Sequence, residues 1–280
     1  MRTLAARLSL FAFVSSAMST PALAQADDFE FDVDLELALA VDVSRSMDLE
    51  EQRVQREGYI AAFRHPDVIA AVRTGPLGRI AVTYFEWAGP GDRNMIVPWM
   101  VIATPEDAVA FAAALEHTPG SRQSGTSISG AMLFAAGLFG QAYNGWRQTV
   151  DISGDGPNNS GRPVEPTREW LLERGVTING LPIMLNRPFG FGPYGIPALD
   201  IYYEDCVIGG PGAFVIPVRE TEEFADAIRR KLILEIAGLP AQVMQAAVAL
   251  TEPRTDCLIG EKNRRGMFNW ELPGQTPGRR

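Results

Sequence analysis

Cysteine and histidine are nearly absent from this chain of 280 residues, with two of each. Two cysteines cannot make a disulfide scaffold, so apolar burial has to build the core. Two histidines, His65 and His117, exclude His-rich zinc sites and long imidazole relays. Positive charge is also short: 25 Lys and Arg stand against 34 Asp and Glu, a net charge of −9. A chain of that sign lacks the basic footprint of a nucleic-acid binder. Long apolar runs are missing too. The uncharged stretch 124–146 is broken by Ser, Gly, Asn and Gln, and its apolar heart, 128–139, is 12 residues long. A bilayer span needs about 20, so this stretch is expected to be a buried core helix. There is no internal repeat and no long run of one charge. What remains is ordinary globular composition, 46% apolar, 21% charged and 9% aromatic. The length suits one large domain, or one domain with an elaboration, at roughly 100–200 residues per domain.

The start of the chain reads as an address. Arg2 and Arg7 precede the uncharged run LSLFAFVSSAM at 8–18, and Pro21-Ala22-Leu23-Ala24 then supplies an A-x-A site. That order is the signature of a secretory signal peptide. Cleavage is expected after Ala24, which removes two arginines and leaves a mature charge of −9 − 2 = −11. Residues 25–33 would be a linker, and the mature protein would be periplasmic or secreted with no transmembrane span. In an oxidising compartment an even pair of thiols tends to bond, so Cys206 and Cys257 are expected to form a disulfide. The competing arrangement is two separate buried thiols.

Along the mature chain, strand and helix patterns alternate. Strands are expected at 35–41, 79–87, 94–102, 148–153, 176–184 and 213–218. Pro98 cannot donate to a ladder and puts its strand at an edge. Asp48-x-x-Glu51 forms a capping box for a helix to about Phe63. Thr104-Pro105-Glu106 opens another, to about His117. Further helices are expected at 166–174, 198–205 and 221–237, the last opened by Thr221-x-x-Glu or a near variant. The alternation implies an α/β fold, a doubly wound, mostly parallel, Rossmann-like sheet of six strands with one antiparallel edge strand. Residues 34–238 would form the domain and 239–280 a C-terminal extension, whose last twenty residues, rich in Gly, Pro and Arg, read as a loose tail.

Parallel sheets place their sites at the carboxyl ends of the strands. Directly after the first strand comes Asp42-Val43-Ser44-Arg45-Ser46. In extended chain, residues i, i+2 and i+4 point the same way, so Asp42, Ser44 and Ser46 converge. They offer only oxygen, which suits a hard cation such as Mg²⁺, Mn²⁺ or Ca²⁺. Taken alone the motif equally fits a helix-capping cluster. Ser153-Gly154-Asp155-Gly156 puts a second acid at another strand end, and Ser124-Gly125-Thr126-Ser127 adds a hydroxyl where the uncharged helix begins.

These three elements together resemble the metal-ion-dependent adhesion site (MIDAS) of the von Willebrand factor type A domain, over about residues 34–238. Asp42, Ser44 and Ser46 match its first element, Thr126 its second and Asp155 its third. The chain also resembles an uncharacterised bacterial subgroup of exported type A domains (DUF1194-like) that shares a segment like Tyr203-Glu204-Asp205-Cys206-Val207-Ile208-Gly209-Gly210. The resemblance implies that the hydroxyls touch a divalent cation, most simply Mg²⁺, that the acids act largely through water, and that a partner protein's Asp or Glu completes the shell. It implies a binding module and not an enzyme. The alternative is a metal-assisted phosphohydrolase with Asp42 as nucleophile, although the general acid expected two residues later is Ser44.

Asp151 interrupts an otherwise apolar strand and is expected to be a buried acid with hydrogen-bonding partners, outside the metal shell. The loop 186–197 carries Phe189, Phe191 and Tyr194, candidates for partner recognition because aromatics are enriched at interface hot spots. Such a loop can equally fold back on its own aromatics. Gly190, Gly192 and Gly195 fit a dinucleotide fingerprint only as letters, since Pro193 removes a donor and the loop falls late in the chain. Asn158-Asn159-Ser160 spells a glycosylation sequon, discounted because the loop lies beside the metal motif.

Overall fold

The computed structural model describes residues 31–116, 122–185, 195–238 and 253–268. Five strands make the main sheet: β1 (Glu36–Asp42), β2 (Ile80–Trp87), β3 (Arg93–Ile102), β4 (Gln148–Gly154) and β5 (Val176–Pro182). Their order is β3-β2-β1-β4-β5, parallel throughout except for β3. β3 is the antiparallel edge, and Pro98 lies where its register against β2 slips between Val97 and Met100, as a residue without an N–H requires.

Period-two alternation along the strands divides the core in two. Leu37, Leu39 and Val41 of β1 pack with α1 (Leu49–Phe63), α2 (Pro66–Val72), α3 (Pro105–Glu116) and α7 (Phe224–Ala237). Ala38 and Ala40 face α4 (Ile128–Leu138), α5 (Val164–Leu172) and α6 (Leu199–Tyr202), which continues as a π-turn over Tyr203–Val207. The small alanines let α4 approach closely through Ala131 and Ala135. This is the uncharged helix, and it is a core helix. No helix among the described residues is long and apolar enough to cross a membrane.

The capping box on α1 is present, with Glu51 N–H donating to Asp48 and Asp48 N–H to Glu51, each at 2.8 Å. Thr104 caps α3 at Asp107 N–H. Three expectations need correction. The sheet has five strands and not six. Residues 213–218 do run beside β5 in one parallel register, but they make only two isolated bridges, Gly180↔Val215 and Ile183↔Val218. Backbone bonds join Gly180 N–H to Phe214, Ile216 N–H to Gly180, Val218 N–H to Pro182 and Met184 N–H to Val218. The bond missing from that series is the one position 182 would donate to Ile216, and Pro182 has no N–H. One proline therefore cuts a sixth strand into two bridges. Second, the helix expected from Thr221 starts as a 3₁₀ turn whose capping box is Glu220 with Glu223, and α7 proper begins at Phe224. Third, the presumed loose tail contains α8 (Ile259–Phe268).

Cys206 and Cys257 are bonded, with Cα atoms 5.5 Å apart. The bond ties the segment before α8 to the π-turn. Residues 1–24, His117 and the aromatic loop with Phe189, Phe191 and Tyr194 lie outside the described residues.

Candidate metal centre at the carboxyl end of the sheet

β1 and β4 are neighbours in register, with Val41 opposite Ser153, so the residues just past each meet. Asp42 is fully buried. Its Oδ1 accepts from Ser44 N–H at 2.7 Å, and the Asp155 N–H also bonds to this carboxyl. Its Oδ2 is buried with no protein partner. The approach is close because residue 154 is glycine: a Cβ there would lie 2.9 Å from Asp42 Oδ2 and 3.0 Å from the Tyr203 hydroxyl. Ser44 Oγ and Ser46 Oγ are 2.9 Å apart, and Ser46 Oγ donates to Asp155 Oδ1 at 2.7 Å. Four of the five sequence-derived residues thus form one hydrogen-bonded group.

Thr126 is brought to the same end of the sheet by its backbone. Gln123 N–H donates to Val43 O at 3.2 Å, which lays the 123–127 loop along the 42–46 loop. Ser127 caps α4 through Gly130 N–H and donates its own N–H to Ala88 O. Gly125 turns the chain at φ +91°, a left-handed conformation that favours glycine. Thr126 itself is buried. Its N–H donates to Asn159 Oδ1 at 2.9 Å, and its carbonyl accepts from Asn159 N–H.

Burial and the neighbouring Asp155 carboxylate push the Asp42 carboxyl well above its usual range, against hydrogen bonds from Ser44 and the Asp155 N–H. Two carboxylates and hydroxyls around a buried, unsatisfied oxygen form an all-oxygen donor set, the kind a hard cation takes. Among the described residues no three His, Cys, Asp or Glu side chains gather as an alternative metal group.

Asp151 is buried as expected, and its main partner is a lysine. It projects from β4 to the α1/α7 side, where its Oδ1 lies 2.8 Å from Lys231 Nζ and Tyr59 OH approaches its Oδ2 at 3.4 Å. Lys231 also pairs with Glu235, which accepts from Asn179 Nδ2 at 2.9 Å. Asp151 stands apart from the Asp42 group.

Sequence reasoning missed the supporting asparagines. Asn159 holds Thr126. Asn158 is buried: its Oδ1 accepts from Ser129 N–H at 3.1 Å, and its Nδ2 donates to Arg162 O at 3.0 Å and Glu261 Oε1 at 2.7 Å. The sequon spelling drew attention to this pair for the wrong reason, and the buried Nδ2 is closed to modification.

A family model described as "Protein of unknown function (DUF1194)" matches residues 32–240. No curated protein matches the sequence. Among solved structures, the pilus adhesin SpaC from Lactobacillus rhamnosus GG superposes with a TM-score of 0.53 at 12% identity, covering 73% of this chain and 31% of the adhesin. A von Willebrand factor type A structure from Catenulispora acidiphila gives 0.48 at 15% identity, covering 73% of this chain and 43% of that one. Proximal thread matrix protein 1 from the mussel byssus, solved with a zinc-occupied MIDAS motif, gives 0.46 at 15% identity, covering 74% and 48%. The chain spans less than half the length of each, and the likeness to the adhesin is one of fold.

Proposed function

The chain belongs to the DUF1194 family of proteins of unknown function, and from that membership and the geometry at Asp42 we propose that it is an exported, metal-dependent protein-binding domain. Asp42, Ser44, Ser46, Thr126 and Asp155 would hold a divalent cation, Mg²⁺ in the simplest case, with Mn²⁺ or Ca²⁺ suiting the same donors. When bound, the cation would offer an open coordination position to an Asp or Glu carboxylate of a partner protein. The observation that carries this reading is the buried, unpartnered Asp42 Oδ2 facing a second carboxylate. A buried pair of this kind is neutralised by a proton or by a cation, and the all-oxygen surroundings suit a cation.

The residues divide the work. The Asp42–Ser44 backbone bond fixes the turn that presents both serine hydroxyls. Ser46 links that turn to Asp155, so the two strand ends act as one unit. Asn159 holds the Thr126 loop from the far side. Phosphohydrolase chemistry finds less support, because position 44 carries a serine where a general acid would stand. Export rests on residues 1–24, and the Cys206–Cys257 bond suits an oxidising compartment. Partner recognition by Phe189, Phe191 and Tyr194 belongs to the same proposal: their loop follows β5, which runs parallel to β1 and so ends on the metal side.

Calorimetric titration with MgCl₂ and MnCl₂ tests the centre. Binding to the wild type and none to Asp42→Ala is the expected result. Equal affinity in the two proteins would remove the site.

A further inference from the structure

We infer that α8 completes the partner-binding surface. It brings Arg264 and Arg265 to a groove beside the metal centre, and this groove takes a second carboxylate of the partner, so the preferred partner is an acidic stretch and not a lone Asp or Glu. The inference rests on the acid-capture reading above and names the class of partner more narrowly.

Four contacts put α8 there. The Cys206–Cys257 bond anchors the chain two residues before the helix begins. At Gly260 the helix backbone presses on the loop after β4, where a Cβ would fall 2.1 Å from Asn158 O. Glu261 Oε1 accepts from Asn158 Nδ2 at 2.7 Å, and its Oε2 is buried without a hydrogen-bond partner. Arg264 Nη1 donates to Asn159 Oδ1 at 3.3 Å, the same oxygen that holds Thr126 N–H. The guanidinium lies 3.1 Å from the place a Cβ on Gly125 would occupy. The absence of a side chain at position 125 thus admits an arginine next to Thr126.

The groove has a volume of about 480 Å³ and is lined by Asn159, Ser160, Gly161, Glu261, Arg264 and Arg265, among others. In the 42–46 loop itself, Arg45 stands exposed between Ser44 and Ser46, and Arg122 donates to its carbonyl at 2.6 Å. A chain of net charge −9 thus places arginines on two of the segments that meet at its carboxylate centre. Once a cation fills the centre, these arginines favour an acidic segment. Guanidinium groups receive carboxylates through paired N–H donors, and partial exposure keeps each contact modest.

The test uses the mature protein in MgCl₂ and two labelled peptides, one with a single Asp among Gly and Ser, the other with three successive Asp. Three equivalent carboxylates alone give a threefold statistical preference. The groove is expected to raise the wild-type preference to about 15-fold, and Arg264→Gln/Arg265→Gln to return it to roughly threefold. Arg264→Lys/Arg265→Lys should recover most of it, which separates charge from damage to the fold. A wild-type ratio of only about three, or a ratio that the glutamine pair leaves unchanged, overturns the inference and leaves acid capture standing. Failure of both peptides to bind wild type in MgCl₂ removes acid capture, and this inference with it.

Discussion

β4 carries two buried carboxylates four residues apart, and the protein treats them in opposite ways. Asp151 sits mid-strand among Tyr59, Lys231 and Glu235. Asp155 sits just past the strand end, beside Asp42. Each acid thus faces a second acid: Glu235 in one place, Asp42 in the other. In the first, one of the chain's two lysines is buried to offset them. In the second, hydrogen bonds from Ser44 and the Asp155 N–H are what oppose the burial of Asp42. A carboxylate pair with its own ammonium is finished as architecture. Glu235 Oε2 is buried without a hydrogen-bond partner just as Asp42 Oδ2 is; what sets the second pair apart is that no cation stands among the groups that shift Asp42, the gap the proposed metal ion would fill. The difference teaches that burial of acids alone does not mark a functional site; the origin of the compensating charge does.

Breaking the first cluster should have the largest effect. Lys231→Met leaves Asp151 and Glu235 facing each other in the core, and removing one partner of a buried ion pair costs about 3–5 kcal/mol. Urea unfolding at neutral pH measures it, and a loss below about 1 kcal/mol would erase the contrast between the clusters. The second cluster should respond with the other sign. Asp42→Asn keeps the Ser44 contact and relieves repulsion, so the metal-free protein should lose little stability or gain some. Saturating MgCl₂ should stabilise wild type by about 2.7 kcal/mol at a hundredfold excess over Kd and leave the variant unmoved. Thermal melts with and without the salt read both numbers.

The smallest effect sharpens the comparison through pH. Burial and the Asp151 charge push Glu235 up to about 7, against Lys231 and Asn179. An acid whose folded pKa is raised favours the folded state when protonated, and that contribution is lost as it ionises. Wild-type stability should therefore fall, relative to Glu235→Gln, as pH rises from about 4.5, the unfolded value, to about 7. A loss of roughly 2.5 kcal/mol over that span is expected, and parallel stability curves for the two proteins would refute it.

Much of this was legible in the sequence. The apolar run 35–41, the Asp48/Glu51 box and the edge position of Pro98 follow from local chemistry that the fold does not override. Asp42, Ser44 and Ser46 were readable as a cluster because three oxygen-bearing side chains follow a strand end at close spacing, although the turn at 45–46, and not extended chain, brings Ser46 in. Asp155 was readable because it ends a neighbouring strand. What stayed hidden depends on contacts distant in sequence. Lys231 and Glu235 look like an ordinary exposed i, i+4 pair until Asp151 is seen opposite them. α8 has the composition of a tail, and its place comes from Cys206, Asn158 and Asn159. Pro182 is an unremarkable last residue of a strand until the alignment of 213–218 shows which bond it withholds.

Pro182 has a counterpart. Even-numbered residues of 213–218 bond to β5, so Pro217 belongs to the outward row, where it deletes a donor. At the far side of the sheet Pro98 likewise removes one N–H from the edge strand β3. Exposed strand borders are where chains recruit one another into fibrils and swapped dimers. Here each border carries a proline among its described residues, which makes it a poorer template for a passing strand. The sheet stops at its own margins, as would suit the partner contact proposed for one end of it.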